Sequence, residues 1–458
     1  MYLLQIRWIY RVVSAILFTC VLPAHAHAQT PTNGDFRTRA SGNWNTLSTW
    51  QVRSAGSWVN AVSLPSTTSN VYIQNGHFVT LTTTGNCRDL HIYTLAGQLD
   101  CDGSLNIYGK LRRYTGTVVT STSDGVFYSS QANGATSNTV ISGNQNIATG
   151  IFFRGTTRNI IQTGEWGVPG GIQPIIHIAM NAGNIATAQS PFYTNFLRIT
   201  SGTLNMGTNS IFLVSGPGGN GTITVAAGAT LQTANTGTAN NNCILTDLTG
   251  NPPYQFYLYG TLRLMGATPH IRIENFTQYD GSTIEYGASG AQNFLQLSYP
   301  ALNPLNNYRN LVLSGSGNKT PSANFIVKED ISINGSAVLV MGARTATITG
   351  NWTSYGAAGL NEGTSTIVFD STGAQTINTT GGENFYVLRK NNTGTLTFNS
   401  NVAIVAGGNL NLSSGTINAG TNAFTGTTTS ALNMSGGTLR LARLNVTLPE
   451  FSIANYNI

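Results

Sequence analysis

The sequence predicts an all-β solenoid, a right-handed parallel β-helix, and three observations predict it. The first is internal repetition. Ser282-Thr283-Ile284 with Gly290-Ala291-Gln292 returns as Ser365-Thr366-Ile367 with Gly373-Ala374-Gln375, at the same internal spacing. Ser201–Asn209 (SGTLNMGTN) returns as Ser414–Asn422 (SGTINAGTN), and Tyr108–Arg112 (YGKLR) as Tyr259–Arg263 (YGTLR). The second is strand length. Thr366–Phe369, Tyr386–Arg389, Thr395–Phe398 and Asn409–Leu412 are short alternating runs separated by Gly, Asn, Ser and Thr. The third is that Ser365–Asn422 shows no helical period. One strand-and-turn unit cannot bury its apolar face alone, so repeated units stack. An array of β-sandwiches is the alternative, because it also uses many short alternating strands.

Taken in order, residues 1–28 read as a secretory signal peptide. Arg7 and Arg11 form the positive region, Val12–Leu22 the apolar region, and Ala26-His27-Ala28 the small-residue cleavage site. Residues 29–123 read as an N-terminal cap and the first coils. Trp44, Trp50 and Trp58 cluster there, and aromatic side chains suit the covering of a solenoid's open end. Asn70–Gln74 and Phe78–Thr82 follow as strands, with Asn75-Gly76 between them as a hairpin or tight turn. Gly97, Gly103 and Gly109 then punctuate short strands at the spacing of three faces per coil. Residues 124–280 read as central coils with an irregular insertion around Trp166, Pro169 and Pro174. Apolar residues recur at i and i+2 in Leu204/Met206, Ile211/Leu213, Ile223/Val225 and Leu262/Leu264, on one face of each strand. Residues 281–458 carry the long repeat nearly twice.

Composition narrows the functional classes. Charged residues are 8% of the 458, against roughly 25% in an ordinary soluble domain. Hydrophobic residues are 40% and alternate with polar ones, so the chain is not a disordered one. The net charge of +6 is spread thinly, with no Lys/Arg cluster longer than two, which excludes a nucleic-acid footprint. After the leader there is no apolar run of bilayer-spanning length. Export permits disulfides. Cys87 and Cys101 each sit beside a strand and are the pair a disulfide could join. Cys243 is left over as a small buried hydrophobe.

Gly42-Asn43-Trp44, Ser48-Thr49-Trp50, Pro65, Val71-x-Ile73 and Gly76-His77-x-Val79-x-Leu81 together resemble the start of secreted β-helical, adhesin-like surface proteins of Gram-negative bacteria. This N-terminal part is also similar to the eight-glycine domain of some extracellular proteins. Gly350-Asn351-Trp352, Gly373-Ala374-Gln375 and Leu410-x-Leu412-x-x-Gly415 resemble the repeats that follow in such surface proteins. The resemblance implies a β-helical architecture and display at a cell surface.

A search for chemistry returns few candidates. Gly216–Gly221 matches the spacing of a dinucleotide loop, but the strand-like Thr222–Val225 follows where a helix is required. Asp100 and Asp102 are the best-paired carboxylates, at a spacing compatible with a cation or a scissile sugar bond, though Asp102-Gly103 is also an ordinary turn. Glu329-Asp330 point to opposite faces if extended. His77, His91, His177 and His270 are scattered without metal-ligand spacing. Thr-x-Thr recurs at Thr80/Thr82, Thr222/Thr224, Thr347/Thr349 and Thr395/Thr397, as outward threonines around a core-facing residue. No catalytic residue, metal ligand or cofactor is assigned. The expectation is a non-enzymatic, secreted or cell-surface adhesin or spacer. It would bind glycans or a neighbouring surface through a Thr/Asn/Ser-rich face. A polysaccharide lyase or glycoside hydrolase on the same scaffold is the alternative.

Overall fold

The computed structural model describes residues 30–442 and 456–457, apart from 75, 93–97, 102–103, 114–117, 121–125, 132–140, 143–149, 156–157, 161–174, 195, 214–220, 237–243, 247–253, 299–301 and 356–358. Residues 1–28, Asp102, Trp166 and Cys243 therefore lie outside the described residues, as do 216–220 of the glycine-rich loop.

Apart from two antiparallel pairs, Trp50–Ser54 with Ser57–Asn60 and Gln296–Ser298 with Leu302–Pro304, consecutive strands of the described residues do not pair with each other. Each pairs in parallel with the strand one coil earlier and one coil later, which makes the chain a parallel β-solenoid and not an array of sandwiches. Three faces result. The first is a fourteen-stranded sheet that stops at Asn275–Gln278, succeeded by a nine-stranded sheet that begins at Asn307–Tyr308. The second is a five-stranded sheet followed by a thirteen-stranded one, unbroken from Arg158–Ile160 to Thr438–Leu441. The third is a six-stranded and a four-stranded sheet, the latter ending at Leu360–Asn361.

The core is a set of ladders along the axis. On the second face Ala186, Leu204, Leu231, Leu262, Ile284, Leu311, Ile331, Trp352, Ile377 and Phe398 are successive cross-strand partners, all buried. Residues one step away on the same strands point outward, and Thr203, Thr230, Thr261 and Thr283 form such a row. Burying each inward Leu or Ile contributes ~1.5–3 kcal/mol. A one-residue slip would turn the whole ladder to solvent, so the register is strongly specified.

The repeats have a physical cause. In the first pair, Gln292 and Gln375 act as staples at equivalent corners. The Gln292 amide donates to the carbonyls of Leu264 and Gly266 on the preceding coil, both at 2.8 Å, and its Oε1 accepts from Ala288 N–H at 3.2 Å. Gln375 does the same with Ile348, Gly350 and Ser371 N–H, at 3.0, 2.8 and 3.2 Å. A lysine completes each corner. Lys319 Nζ donates to Ala288 and Gly290 carbonyls at 2.7 and 3.2 Å, and Lys390 Nζ to Ser371 and Asn392 carbonyls at 2.9 and 2.7 Å. Burial draws the Lys319 pKa down to about 8. In the second pair, Gly202 and Gly415 both hold positive φ, +69° and +77°, where a Cβ would meet backbone or side-chain atoms of the coil before. Asn209 and Asn422 both donate back one coil, to the carbonyls of Ala188 and Phe398. The third pair is not equivalent. Ser104–Arg113 is one continuous strand, whereas Tyr259-Gly260 is a bend between Gln255–Leu258 and Thr261–Leu264.

One expectation is narrowed and one is corrected. Asn75 lies outside the described residues; of the hairpin or tight turn expected there, the tight turn holds at Gly76, where His77 N–H donates to the Gln74 carbonyl at 3.1 Å. Val71–Ile73 and Phe78–Leu81 belong to different sheets, so their twist-matched neighbours are on other coils. The Cys87–Cys101 bridge is not made: Cys87 is a buried, free thiol. It pairs with Ile107 in one sheet, and Cys101 pairs with Leu81 in another, so closeness in sequence does not bring them together. Burial pushes the Cys87 thiol well up, and the thiolate is the reactive form. A thiol-alkylating reagent should therefore leave Cys87 unlabelled in the native chain and label it in denaturant without prior reduction. A requirement for reductant would contradict this.

The N-terminal end is closed by antiparallel strands. Trp50–Ser54 and Ser57–Asn60 form a hairpin that covers the edge of Phe36–Thr38. Its turn residues, Ala55 and Gly56, have φ of +47° and +79°, positive at both central positions. Trp44 and Trp50 lie buried beneath, ring centroids 5.0 Å apart and edge to face, with Trp50 Nε1 donating to the Trp44 carbonyl at 2.7 Å. Trp58 is on the outside, half-buried between Arg37 and Arg53, whose guanidinium carbons lie 4.7 and 5.6 Å from its ring.

Candidate functional site

Among the described residues, the carboxylates and histidines singled out in sequence do not converge. The Asp100 backbone lies in the strand Gln98–Cys101, opposite Thr80 and Thr120, and its side chain is outside the described residues. Glu329 accepts from Gly281 N–H and from Asn310 Nδ2, and Asp330 Oδ1 accepts from Asn351 N–H and Nδ2, so both are spent on tying coils together. His77 bonds Thr38 Oγ1 through Nδ1 at 2.7 Å, and His91 stacks on Tyr72 with centroids 4.5 Å apart. His177 and His270 are buried in separate strands. Among the described residues no three His, Cys, Asp or Glu side chains gather as a metal site would require. Nor is any helix there long and apolar enough to cross a membrane. The four Thr-x-Thr pairs do surround buried residues, Leu81, Ile223, Ile348 and Leu396. They fall on four different sheets, however, and do not build one flat face.

The ionisable group that stands out is Glu383. It opens the strand Glu383–Lys390, directly after Gly381 and Gly382, both at positive φ. Alternation along that strand points Glu383 inward on the same side as Phe385. Its side chain reaches Trp352, a rung of the second-face core ladder, and accepts a hydrogen bond from Trp352 Nε1 at 3.0 Å. The residue is 6% exposed, and that remaining surface opens onto a groove of about 470 Å³. Asn361, Glu362, Asn384, Asn401 and Thr425 rim the groove, and Val338, Leu360 and Val402 form its apolar floor. A buried polar group inside an apolar-floored cleft with amide and hydroxyl rims is the usual make-up of a ligand site. Burial pushes the Glu383 acid up to about 7, the indole and the Asn384 backbone N–H pull it down, and the charge of Glu362 pushes it up again. Below about pH 7 the protonated form of Glu383 therefore predominates.

Sequence reasoning passed over Glu383 because it has no acidic or basic neighbour at motif spacing. The signal that could have found it is its phase: Glu383 shares the core-facing side with Phe385, ahead of the register shift after which Leu388 faces the core. Comparison with family models, curated proteins and solved structures finds no match to this chain.

The buried acid makes stability depend on pH. The folded state holds the proton more tightly than the unfolded chain does, from an ordinary 4.5 up to about 7. This contribution is whole below about pH 4.5, declines as pH rises and is lost above about pH 7, a loss of about 3 kcal/mol. Glu383→Gln keeps an acceptor for the indole and removes the titration. Denaturant unfolding should show the variant equal to the parent near pH 4 and more stable near pH 8. Equal stability at both pH values would mean that Glu383 ionises without penalty.

Proposed function

We propose that the chain is a secreted, non-enzymatic surface solenoid, an adhesin or structural spacer, that holds a glycan of a neighbouring surface in the groove beside Glu383. The observation that supports this reading is the groove itself: one buried carboxylic acid, held by Trp352, beneath a rim of Asn361, Asn384, Asn401 and Thr425. Hydroxyl-rich ligands are matched by such side chains, each of which both donates and accepts. The resemblance of the Trp44–Leu81 region to secreted β-helical surface proteins, and the leader-like residues 1–28, support the surface location. The scaffold by itself does not distinguish a binder from an enzyme.

One observation favours a second reading, glycan cleavage. A carboxylic acid pushed up to about 7 with a second carboxylate, Glu362, on the same groove has the make-up of a general acid beside a charge-stabilising partner. Incubation of the purified chain with soluble glycans separates the two. Retention without product supports the binder, and Asn384→Trp, which fills the groove mouth, should abolish it. Release of reducing ends or unsaturated products, lost in Glu383→Gln, would establish cleavage and overturn the adhesin reading. If no glycan is retained or cut, the groove is not a glycan site.

A further inference from the structure

A second cavity, of about 440 Å³, includes Asn293, Gln296, Thr320 and Arg344 in its lining. Strand register relates the two. Asn293 pairs with Thr320 on the four-stranded sheet of the third face. Lys319 pairs with Leu339 on the next strand, which places Thr320 beside Val340. Val340 pairs with Asn361, and Asn361 lines the groove of Glu383. Asn384, on the same groove, continues the row on the nine-stranded sheet through Ala403 to Thr425.

We infer that the two cavities are parts of one cleft that runs along the solenoid axis and takes an extended, neutral or weakly charged polysaccharide chain. The inference rests on the glycan reading above and adds the form and length of the ligand. Seven coils contribute one outward residue each, and at ~4.8 Å per coil the row is ~29 Å long. Five of those seven residues, Asn293, Thr320, Asn361, Asn384 and Thr425, carry an amide or a hydroxyl. A ligand that repeats along its length meets the same chemistry at nearly every coil. A peptide strand would need an open backbone edge long enough to pair with; Thr320 and Val340 lie on strands paired on both sides, and the edges at Gln292–Asn293, Leu360–Asn361, 383–385 and Phe424–Thr425 are only two or three residues long. A nucleic acid would need a basic track, and Arg344 is the one cation in the lining of either cavity besides His270.

The experiment compares dimers with octamers of β-1,4-linked glucose and N-acetylglucosamine, titrated calorimetrically into the full chain. The octamer should bind at least about tenfold more tightly, because successive contacts become intramolecular. Asn293→Trp, at an exposed position of the distant cavity, should erase that gain and leave dimer affinity unchanged. Thr320→Trp should do the same and guards against a folding defect in either variant. Equal affinity for dimer and octamer, or a gain that survives both substitutions, would show separate cavities and overturn the inference while the groove remains a glycan site. Failure of wild-type chain to bind any member of either series would overturn the underlying glycan reading.

Discussion

Gln375→Leu is expected to cost roughly 3–6 kcal/mol and to unfold the coils around it first. The substitution keeps volume and removes two donors and one acceptor from a fully buried corner, leaving the Gly350 carbonyl and the Ser371 N–H without partners and the Ile348 carbonyl with only its bond from Asp370 N–H. Each buried group so orphaned costs ~1–3 kcal/mol. Gln375→Glu should be nearly as harmful, because a carboxylate cannot donate to the two carbonyls. Native-state hydrogen exchange should place the lost protection in strands Trp352–Ser354 and Gln375–Thr379. Asn378→Ala, an exposed position on the same strand, is the comparison. If the two variants lose the same stability, the staple is not what holds this corner.

Trp50→Ala is expected to cost about 3–5 kcal/mol, the usual loss when a large buried aromatic is truncated. The loss is local to one end. Trp50 is fully buried, packs edge to face on Trp44 and ties down the Trp44 carbonyl, beneath the hairpin that covers the first coil. Solenoid stability is summed between neighbours, so the first coils should fray while the C-terminal coils stay folded. Limited proteolysis should cut early within about the first hundred residues and nowhere else. An unchanged digestion pattern would mean that the hairpin closes the end without its tryptophans.

The solenoid was legible because a period of two, broken by glycine, is enforced at every strand: a residue such as Leu231 or Ile284 has to face in for its coil to bury anything. The Gly-Ala-Gln repeat was legible as a repeat, but the reason for it was not. Gln292 and Gln375 bond to carbonyls that are distant along the chain, and the lysines that complete the corners, Lys319 and Lys390, sit at different distances from their glutamines. The hairpin at Ala55-Gly56 escaped notice because alanine is an unusual residue for positive φ, which the tight pairing of Ser54 with Ser57 imposes. Glu383 escaped because its meaning comes from Trp352, which is brought near only by stacking. The cysteines misled for the converse reason. Proximity in sequence counts for little where successive strands are sent to different faces.

The interruption of the first face has a mechanical consequence. Between Gln278 and Asn307 the ladder of that face is replaced by side-chain links, and beside Gln278 the Arg309–Asp280 ion pair joins the same coils at 2.7 Å. Gln278 Nε2 donates to the Asn307 carbonyl at 2.7 Å and its Oε1 accepts from Arg309 N–H at 3.3 Å. Across the same level the second face runs on through Thr283–Tyr286 and Asn310–Leu313 without a gap. Behind the break, Tyr286, Phe294, Tyr308 and Phe325 pack ring against ring. A rod braced along one side and spliced on the other is stiff under tension but yields to sideways load, folding toward or away from the splice with the second face as its hinge line. Gln278 and the Arg309–Asp280 pair set how far that joint opens, and the aromatic cushion sets how far it closes.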